Sequence, residues 1–335
     1  MILIVTAASD TTALAVEQLL RRRGADVLLF DTGQFPSQAR ITVSYREGVP
    51  RYTIRTAGHV RRFDELTSIW FRRPTPVAAD PAMADEEVRT VVEQDCNEFL
   101  ESIWDGMTCP MLPGSPSAMK SAQRKAAHMA RARALGFEVA PTLFTNDPRE
   151  FLDLYREQAG HLIHKINSRL VLRARQGTEF MRLTTPVSRR DVMHAESVSL
   201  SPIVFQSYVP KRLEVRATVV AGQVFAAEIH SQKSNRSHFD WRRYDLASTP
   251  HFPHALPKDL AERCVKLVAQ SGLSYGTIDL ILTPDDRYVF LELNSAGEYA
   301  WLERVTGLPI SAAIADFLMA PIEAAHREVA EAVHA

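Results

Sequence analysis

Cysteine is scarce in this chain, three among 335 residues, at Cys96, Cys109 and Cys264. The number is odd and the spacing wide, so neither a disulfide framework nor a Cys-x-x-Cys metal site can be read from it; all three are read as structural, and a reducing, cytoplasmic setting is expected. Net charge is almost absent, 39 basic against 40 acidic side chains, which excludes the strongly basic surface that bulk binding to nucleic acid or anionic membrane requires. No apolar run approaches the roughly 18 residues that cross a bilayer, and the short apolar stretch after Met1 lacks the basic segment of a secretion signal. Nucleic acid, membrane and export are all unexpected. Glycine is sparse, 14 residues, and none lies in the loop Thr6-Ala7-Ala8-Ser9-Asp10 after the first apolar run. A dinucleotide pyrophosphate needs glycine there for close backbone approach, so a nicotinamide or flavin site is rejected.

What is present is a globular composition, 46% hydrophobic and 24% charged, in a chain long enough for two or three domains. Residues 2–5 and 27–30 are continuous apolar runs flanking a helical pattern at 11–23, a β-α-β unit with buried parallel strands. Alternation at 40–45 and 52–56 predicts a hairpin, 69–71 another buried strand, and 84–104 a long helix. Pro110, Pro113 and Pro116 then break the chain. These features define an N-terminal α/β domain, 1–113. A helix capped by Ser117 or Ser121 is expected to run to Leu135, followed by strands, hairpins and a short helix at 189–195, an α+β central lobe over 114–205. Residues 206–320 form a C-terminal lobe with long antiparallel strands at 213–220 and 224–231. A helix at 257–271, a hairpin of 275–282 with 288–293, and a closing helix at 308–319 complete it. Residues 321–335 are an Ala/Glu-rich tail.

The second hairpin carries the most informative residues. Asp279 sits inside Ile278-Asp279-Leu280-Ile281, and Glu292 inside Phe290-Leu291-Glu292-Leu293-Asn294. A carboxylate in an apolar strand needs a partner, because burying it bare costs several kcal/mol. Glu292 and Asn294 share a strand face, and a tight hairpin brings Asp279 opposite them. Such oxygen ligands suit Mg²⁺ shared with phosphates; pairing with arginine or facing solvent is the other reading. Lys165 closes an apolar strand, where its ammonium must reach an anion or carbonyl. Lys125 lies on a helix whose solvated face would also explain it. Glu214 and Arg216 share one wall of a strand, either as a simple ion pair or as a functional anion and cation.

The order Lys125, Lys165, Gln206-Ser207-Tyr208-Val209, Glu214-Val215-Arg216, Asp279 and Glu292-Leu293-Asn294 resembles the ATP-grasp superfamily. Trp70-Phe71-Arg72-Arg73-Pro74, Thr145-Asn146-Asp147-Pro148, Asp240-Trp241-Arg242, and Ala300-Trp301-Leu302-Glu303 with Thr306-Gly307-Leu308-Pro309 resemble more narrowly the microviridin-type graspetide synthetases. The resemblance implies an ATP-grasp fold: an N-terminal pre-grasp domain, a central lid lobe and a C-terminal antiparallel-sheet lobe. It implies an ADP-forming ligase that phosphorylates an Asp or Glu side chain of a ribosomal precursor peptide and closes ω-ester or ω-amide rings. The alternative is a carboxylate–amine ligase acting on an amino acid or other small molecule. Lys125, Lys165, Gln206, Ser207, Tyr208, Val209 and Glu214 would hold ATP, Asp279, Glu292 and Asn294 would hold Mg²⁺, and Arg216 would be catalytic. Arg72, Arg73, Arg173 and Arg242 are candidates for the acidic, hydroxyl-rich core of the peptide, whose leader would dock near 169–195. Similar enzymes pair as homodimers, and the helix at 84–104 offers an amphipathic surface. Two departures stand out. Asn294-Ser295-Ala296-Gly297-Glu298-Tyr299 replaces the branch's Asn-Pro-Asn-Gly-Gln-Trp, so a looser loop is expected past the metal residues, and Gln206-Ser207 replaces Gln-Glu.

Overall fold

The computed structural model describes residues 1–46, 48, 50–56, 59–63, 65–167, 171–173, 179–181, 184–233 and 249–334, with 171–173, 179–181 and 324–334 described by backbone. Strand β1 (Ile2–Thr6) is buried along its whole length, as a central parallel strand must be. Helix α1 (Thr11–Arg22) starts where the Asp10 carboxylate accepts the Thr12 and Ala13 amides, and it buries Ala13, Val16 and Leu20 on one face. Then come β2 (Val27–Phe30), β3 (Ala39–Ser44), β4 (Arg51–Thr56), β5 (His59–Arg62), β6 (Ser68–Arg73), α2 (Glu86–Asp105) and β7 (Met111–Leu112). A parallel sheet has the order β2-β1-β6-β7, and β3-β4-β5 form a separate antiparallel meander. Trp104 of α2 anchors one face of the parallel sheet among Phe30, Phe63 and Phe71.

The next elements are α3 (Pro116–Ala122), α4 (Lys125–Ala134), β8 (Glu138–Val139), β9 (Thr142–Thr145), α5 (Pro148–Glu157), β10 (Leu162–Lys165), β11 (Val171–Arg173), β12 (Glu179–Met181), β13 (Thr185–Pro186), α6 (Arg189–Met193) and β14 (Ile203–Ser207). Where one helix to Leu135 was expected there are two. Ser115, not Ser117 or Ser121, caps the first, with Pro116 at its opening position. The chain breaks at Gln123-Arg124, where a continuous helix would pair the Ala122 carbonyl with a backbone amide. That carbonyl instead faces the His128 ring, 3.3 Å from Nδ1. An antiparallel sheet, β13-β10-β14-β9, forms the central lobe's core with α5, whose Phe151 stacks on Phe205 at 4.2 Å between centroids.

The last elements are β15 (Leu213–Val220), β16 (Gln223–Ile229), β17 (His251–Pro253), α7 (Lys258–Gln270), β18 (Tyr275–Leu282), β19 (Tyr288–Asn294), α8 (Ala300–Thr306) and α9 (Ile310–His334), the last running through Pro321. The largest sheet has the order β17-β16-β15-β18-β19-β8, antiparallel except where β8 joins β19. One face packs on α7 through Leu260, Cys264, Leu267 and Val268. Cys264 is fully buried there and its thiol is pushed up to about 12 by desolvation, an inert packing residue. Helix α9 returns to the N-terminal sheet, so Ile310, Ile314 and Leu318 share a core with Ile2, Ile4, Val16 and Leu20. No helix among the described residues is long and apolar enough to cross a membrane.

Candidate active site

The other face of the large sheet carries the polar residues. Arg216 on β15 lies in register with Asp279 on β18, and Asp279 with Glu292 on β19, so three strands present cation, anion, anion in one row. Arg216 is buried and donates from Nη1 to both Asp279 oxygens, at 2.8 and 3.1 Å. Asn294 Nδ2 reaches Asp279 Oδ2 and Glu292 Oε1, each at 3.2 Å.

A β-bulge makes this row possible. Asp279 pairs with Glu292, but the next residue, Leu280, pairs with Phe290, so the register skips Leu291. Phe290 and Leu293 can then both enter the core against α7 while Glu292 and Asn294 face the site. Strict alternation from Phe290 would have put Glu292 in the core.

A cleft opens beside the row, lined by Lys165, Gln206, Ser207, Tyr208, Val209, Glu214, Asp279 and Glu292 together with Ile163, Ile281 and Leu291. Lys165 on β10 hydrogen-bonds Gln206 Oε1 on the neighbouring β14 at 3.0 Å, and Gln206 Nε2 donates to Thr142 Oγ1 at 2.9 Å. Ser207 Oγ reaches Gln158 Oε1 at 2.8 Å. Lys211 Nζ contacts Glu214 Oε1 at 2.6 Å with both side chains buried. Lys211 was not singled out as a site residue from sequence, although its position three residues before Glu214 carried the signal. A second cavity of about 440 Å³ also reaches Glu292 and is lined by Asn294, Gln123, Arg124 and Lys125. Lys125 Nζ donates to the Ile166 carbonyl.

Arg72 and Arg73 lie apart from this cleft. Arg72 is buried at the end of β6, donates from Nη2 to both Glu298 oxygens at 2.7 Å, sits 3.5 Å from Asp10 and lies over the Tyr299 ring. Burial opposes its charge, but the Glu298 hydrogen bond and the charges of Glu298 and Asp10 outweigh that and raise its pKa. Arg73 joins the same carboxylate at 2.6 Å from an exposed position. The loop after Asn294 is therefore tied down, where a looser one was expected. Tyr275, whose hydroxyl burial keeps protonated, donates to the Gly297 carbonyl at 2.6 Å. A Cβ at Gly297 would collide with the Thr277 hydroxyl and crowd the Arg216 guanidinium, so only glycine lets the loop close over Arg216. Glu298, where the branch has Gln, was the overlooked signal: it is the anion that answers two arginines. The Arg173 side chain and all of Arg242 lie outside the described residues, as do Asp240, Trp241 and, of the segment expected to dock a leader, 169–170, 174–178 and 182–183.

His128, on α4 beneath Glu292, is buried against Phe290, and desolvation holds its pKa below the ordinary 6.5. The unfolded chain protonates this ring first. The stability contributed by the neutral ring is thus full above 6.5 and lost as pH falls from there toward the folded-state value. His128→Leu is expected to shrink the difference in melting temperature between about pH 7.5 and about pH 5.5. An undiminished difference would place the acid sensitivity elsewhere.

Residues 1–115 match the family model of the MvdD pre-ATP grasp domain, and residues 132–318 match that of the RimK-like ATP-grasp domain. The chain belongs to the RimK-like ATP-grasp family, and it is an ADP-forming ATP-grasp ligase. Among solved structures it is similar to macrocyclase MdnC of Microcystis aeruginosa MRC, crystallised with precursor peptide MdnA, at 28% identity and TM-score 0.84 over 95% of this chain and 99% of that one. It is similar to a RiPP-associated ATP-grasp ligase of Chryseobacterium gregarium, in complex with ADP and a leader and core peptide, at 26% identity and TM-score 0.88 over 95% and 96%. Macrocyclase MdnB of Microcystis aeruginosa MRC follows at 29% identity and TM-score 0.79 over 95% and 98%. No curated protein matches the chain.

Proposed function

We propose that this ligase activates Asp or Glu side chains of a ribosomally made precursor peptide and closes ω-ester or ω-amide crosslinks within it. The observation that carries the reading is the row Arg216–Asp279–Glu292, whose Glu292 lines both the cleft with Lys165, Gln206 and Glu214 and the larger cavity with Lys125 and Asn294. The likeness to enzymes crystallised with precursor peptides supports it. Bound ATP and Mg²⁺ would supply the phosphoryl group and the charge for converting a carboxylate to an acyl phosphate with release of ADP, and a hydroxyl or amine attacking the acyl carbon would then displace phosphate.

The residues present fit that requirement. Two carboxylates and one amide offer oxygen donors, the set Mg²⁺ accepts when phosphate and water complete its shell. Among the described residues no group of three or more His, Cys, Asp or Glu forms a cage for a different metal. In this reading Asp279, Glu292 and Asn294 hold Mg²⁺. Lys125 and Lys165 hold the phosphates and the adenine side, Gln206, Ser207, Tyr208 and Val209 line the base, and Glu214 takes the ribose. Arg216, held by Asp279, stabilises charge on the transferring group, the electrostatic work that phosphoryl transfer chiefly needs. Arg72, Arg73, Arg173 and Arg242 remain candidates for the acidic core. The reading includes a homodimer, for which exposed Val88 and Val91 of α2 offer an apolar face, and a cytoplasmic site, which fits three free thiols.

The test is intact-mass spectrometry of a short acidic peptide encoded beside the gene, incubated with the enzyme, ATP and Mg²⁺ while ADP is followed. Loss of water coupled to ADP release is expected, reversed by mild base for esters and stable for amides. ADP release with free amino acids or amines, and mass gain in place of water loss, would move the activity to a small-molecule ligase.

A further inference from the structure

Glu292 lines both the cleft and the second cavity, so a carboxylate activated beside Glu292 has that cavity within reach, next to Lys125 and Asn294. At about 440 Å³ the cavity is larger than one carboxyl group fills, and it falls within the range of about 300–1,000 Å³ typical of ligand pockets. Its wall is basic. Lys120, Arg124 and Lys125 line it, and Glu292 is the one acidic residue among the described residues that do so. Two of the three cations are engaged: Lys120 Nζ lies 2.6 Å from Glu101, and Lys125 Nζ is on the Ile166 carbonyl. The Arg124 guanidinium makes no hydrogen bond or ion pair among the described residues. Arg124 sits at the break between α3 and α4, between Gln123 and Lys125 on the same wall.

We infer that Arg124 is a specificity-determining residue. With Lys120 on the same wall, it binds a second carboxylate of an acidic peptide while a first is activated at Glu292. This rests on the peptide-ligase reading above. A guanidinium presents a planar fork that matches a carboxylate with two hydrogen bonds, and one that is not already neutralised retains its full charge for the ligand. Polyphosphate has the same anionic chemistry, and Lys125, Glu292 and Asn294 of this cavity are the residues given above to phosphate and Mg²⁺; Arg124 does not line the cleft carrying Glu214 and Tyr208, and the two anions are separated by the experiment. A peptide with one carboxylate would use only the activation site. A peptide with neighbouring carboxylates would use both, so the enzyme would prefer acidic clusters to isolated Asp or Glu.

The experiment measures the fluorescence anisotropy of labelled tetraglutamate on the enzyme loaded with AMPPNP and Mg²⁺, with tetraglutamine as the neutral control. AMPPNP affinity is titrated separately. Arg124→Gln is expected to weaken tetraglutamate binding roughly tenfold, the loss of a charged hydrogen-bonded pair, and Arg124→Lys to retain part of it, with AMPPNP affinity equal in all three proteins. Equal tetraglutamate affinity in Arg124→Gln overturns the proposal, as does absence of tetraglutamate binding to the wild type. A parallel fall in AMPPNP affinity also overturns it, assigning Arg124 to the nucleotide. If tetraglutamate binding depends on Arg124 while no peptide is ever dehydrated, the anion site stands and the peptide-ligase reading fails.

Discussion

Glu292→Gln is expected to lower ADP release at least about a hundredfold, the scale of removing one preorganised charge-stabilising group, while leaving the melting transition in place. The substitution changes charge with almost no change of volume, so Phe290 and Leu293 keep their positions against α7 and the bulge between them persists. It also removes one of two adjacent carboxylates, which relieves repulsion in the folded state and disfavours unfolding as an explanation for lost activity. Coupled ADP assays and a thermal melt on the same preparation separate the two effects. Activity retained within about threefold would show that the carboxylate row is not where the phosphoryl group is transferred.

The second large effect concerns stability. Arg72→Met is expected to destabilise the fold by about 3 kcal/mol, because it removes the buried cation between Asp10 and Glu298 and leaves Glu298 only its exposed partner Arg73. Arg72→Lys should recover little of this, since a single ammonium cannot span Glu298 and Asp10 as Nη2 and Nε of the guanidinium do, nor lie flat over Tyr299. Arg73→Gln, at an exposed partner of the same Glu298, should cost less than about 1 kcal/mol. Urea unfolding of the three variants tests the contrast. Equal effects at the two arginines would mean that Glu298 is satisfied from solvent and that the loop after Asn294 does not depend on the N-terminal sheet.

Much of the frame was legible because burial writes itself into sequence directly. The apolar runs of β1 and β2 with a helical period between them give a parallel unit, and the antiparallel pair β15–β16 and the hairpin β18–β19 follow from alternation and a turn at Pro284-Asp285-Asp286. The shortest elements were not legible. Strand β8 has no period to read, and its pairing with β19 is set by a partner on the far side of the central lobe in chain order. The split of α3 from α4 was equally hidden, because no Gly or Pro marks 117–135 as broken, and the His128 ring that faces the Ala122 carbonyl at the break lies six residues further on.

At the site, the sequence by itself determined which groups are available: carboxylates set in apolar strands, a lysine at a strand end, the run Gln206-Ser207-Tyr208-Val209 and an arginine two residues after a glutamate. Their types follow from chemistry that a composition of buried hydrophobes would not otherwise tolerate. Only the tertiary structure decided where they point. Arg216, Asp279 and Glu292 align because three strands pair in one register, and Glu292 turns out of the core because the ladder skips Leu291. Arg72 joins Glu298, distant from it in sequence, because α9 carries the C-terminal lobe back onto the N-terminal sheet. Registers, bulges and distant ion pairs are properties of two segments at once, and a residue pattern read along one segment does not contain them.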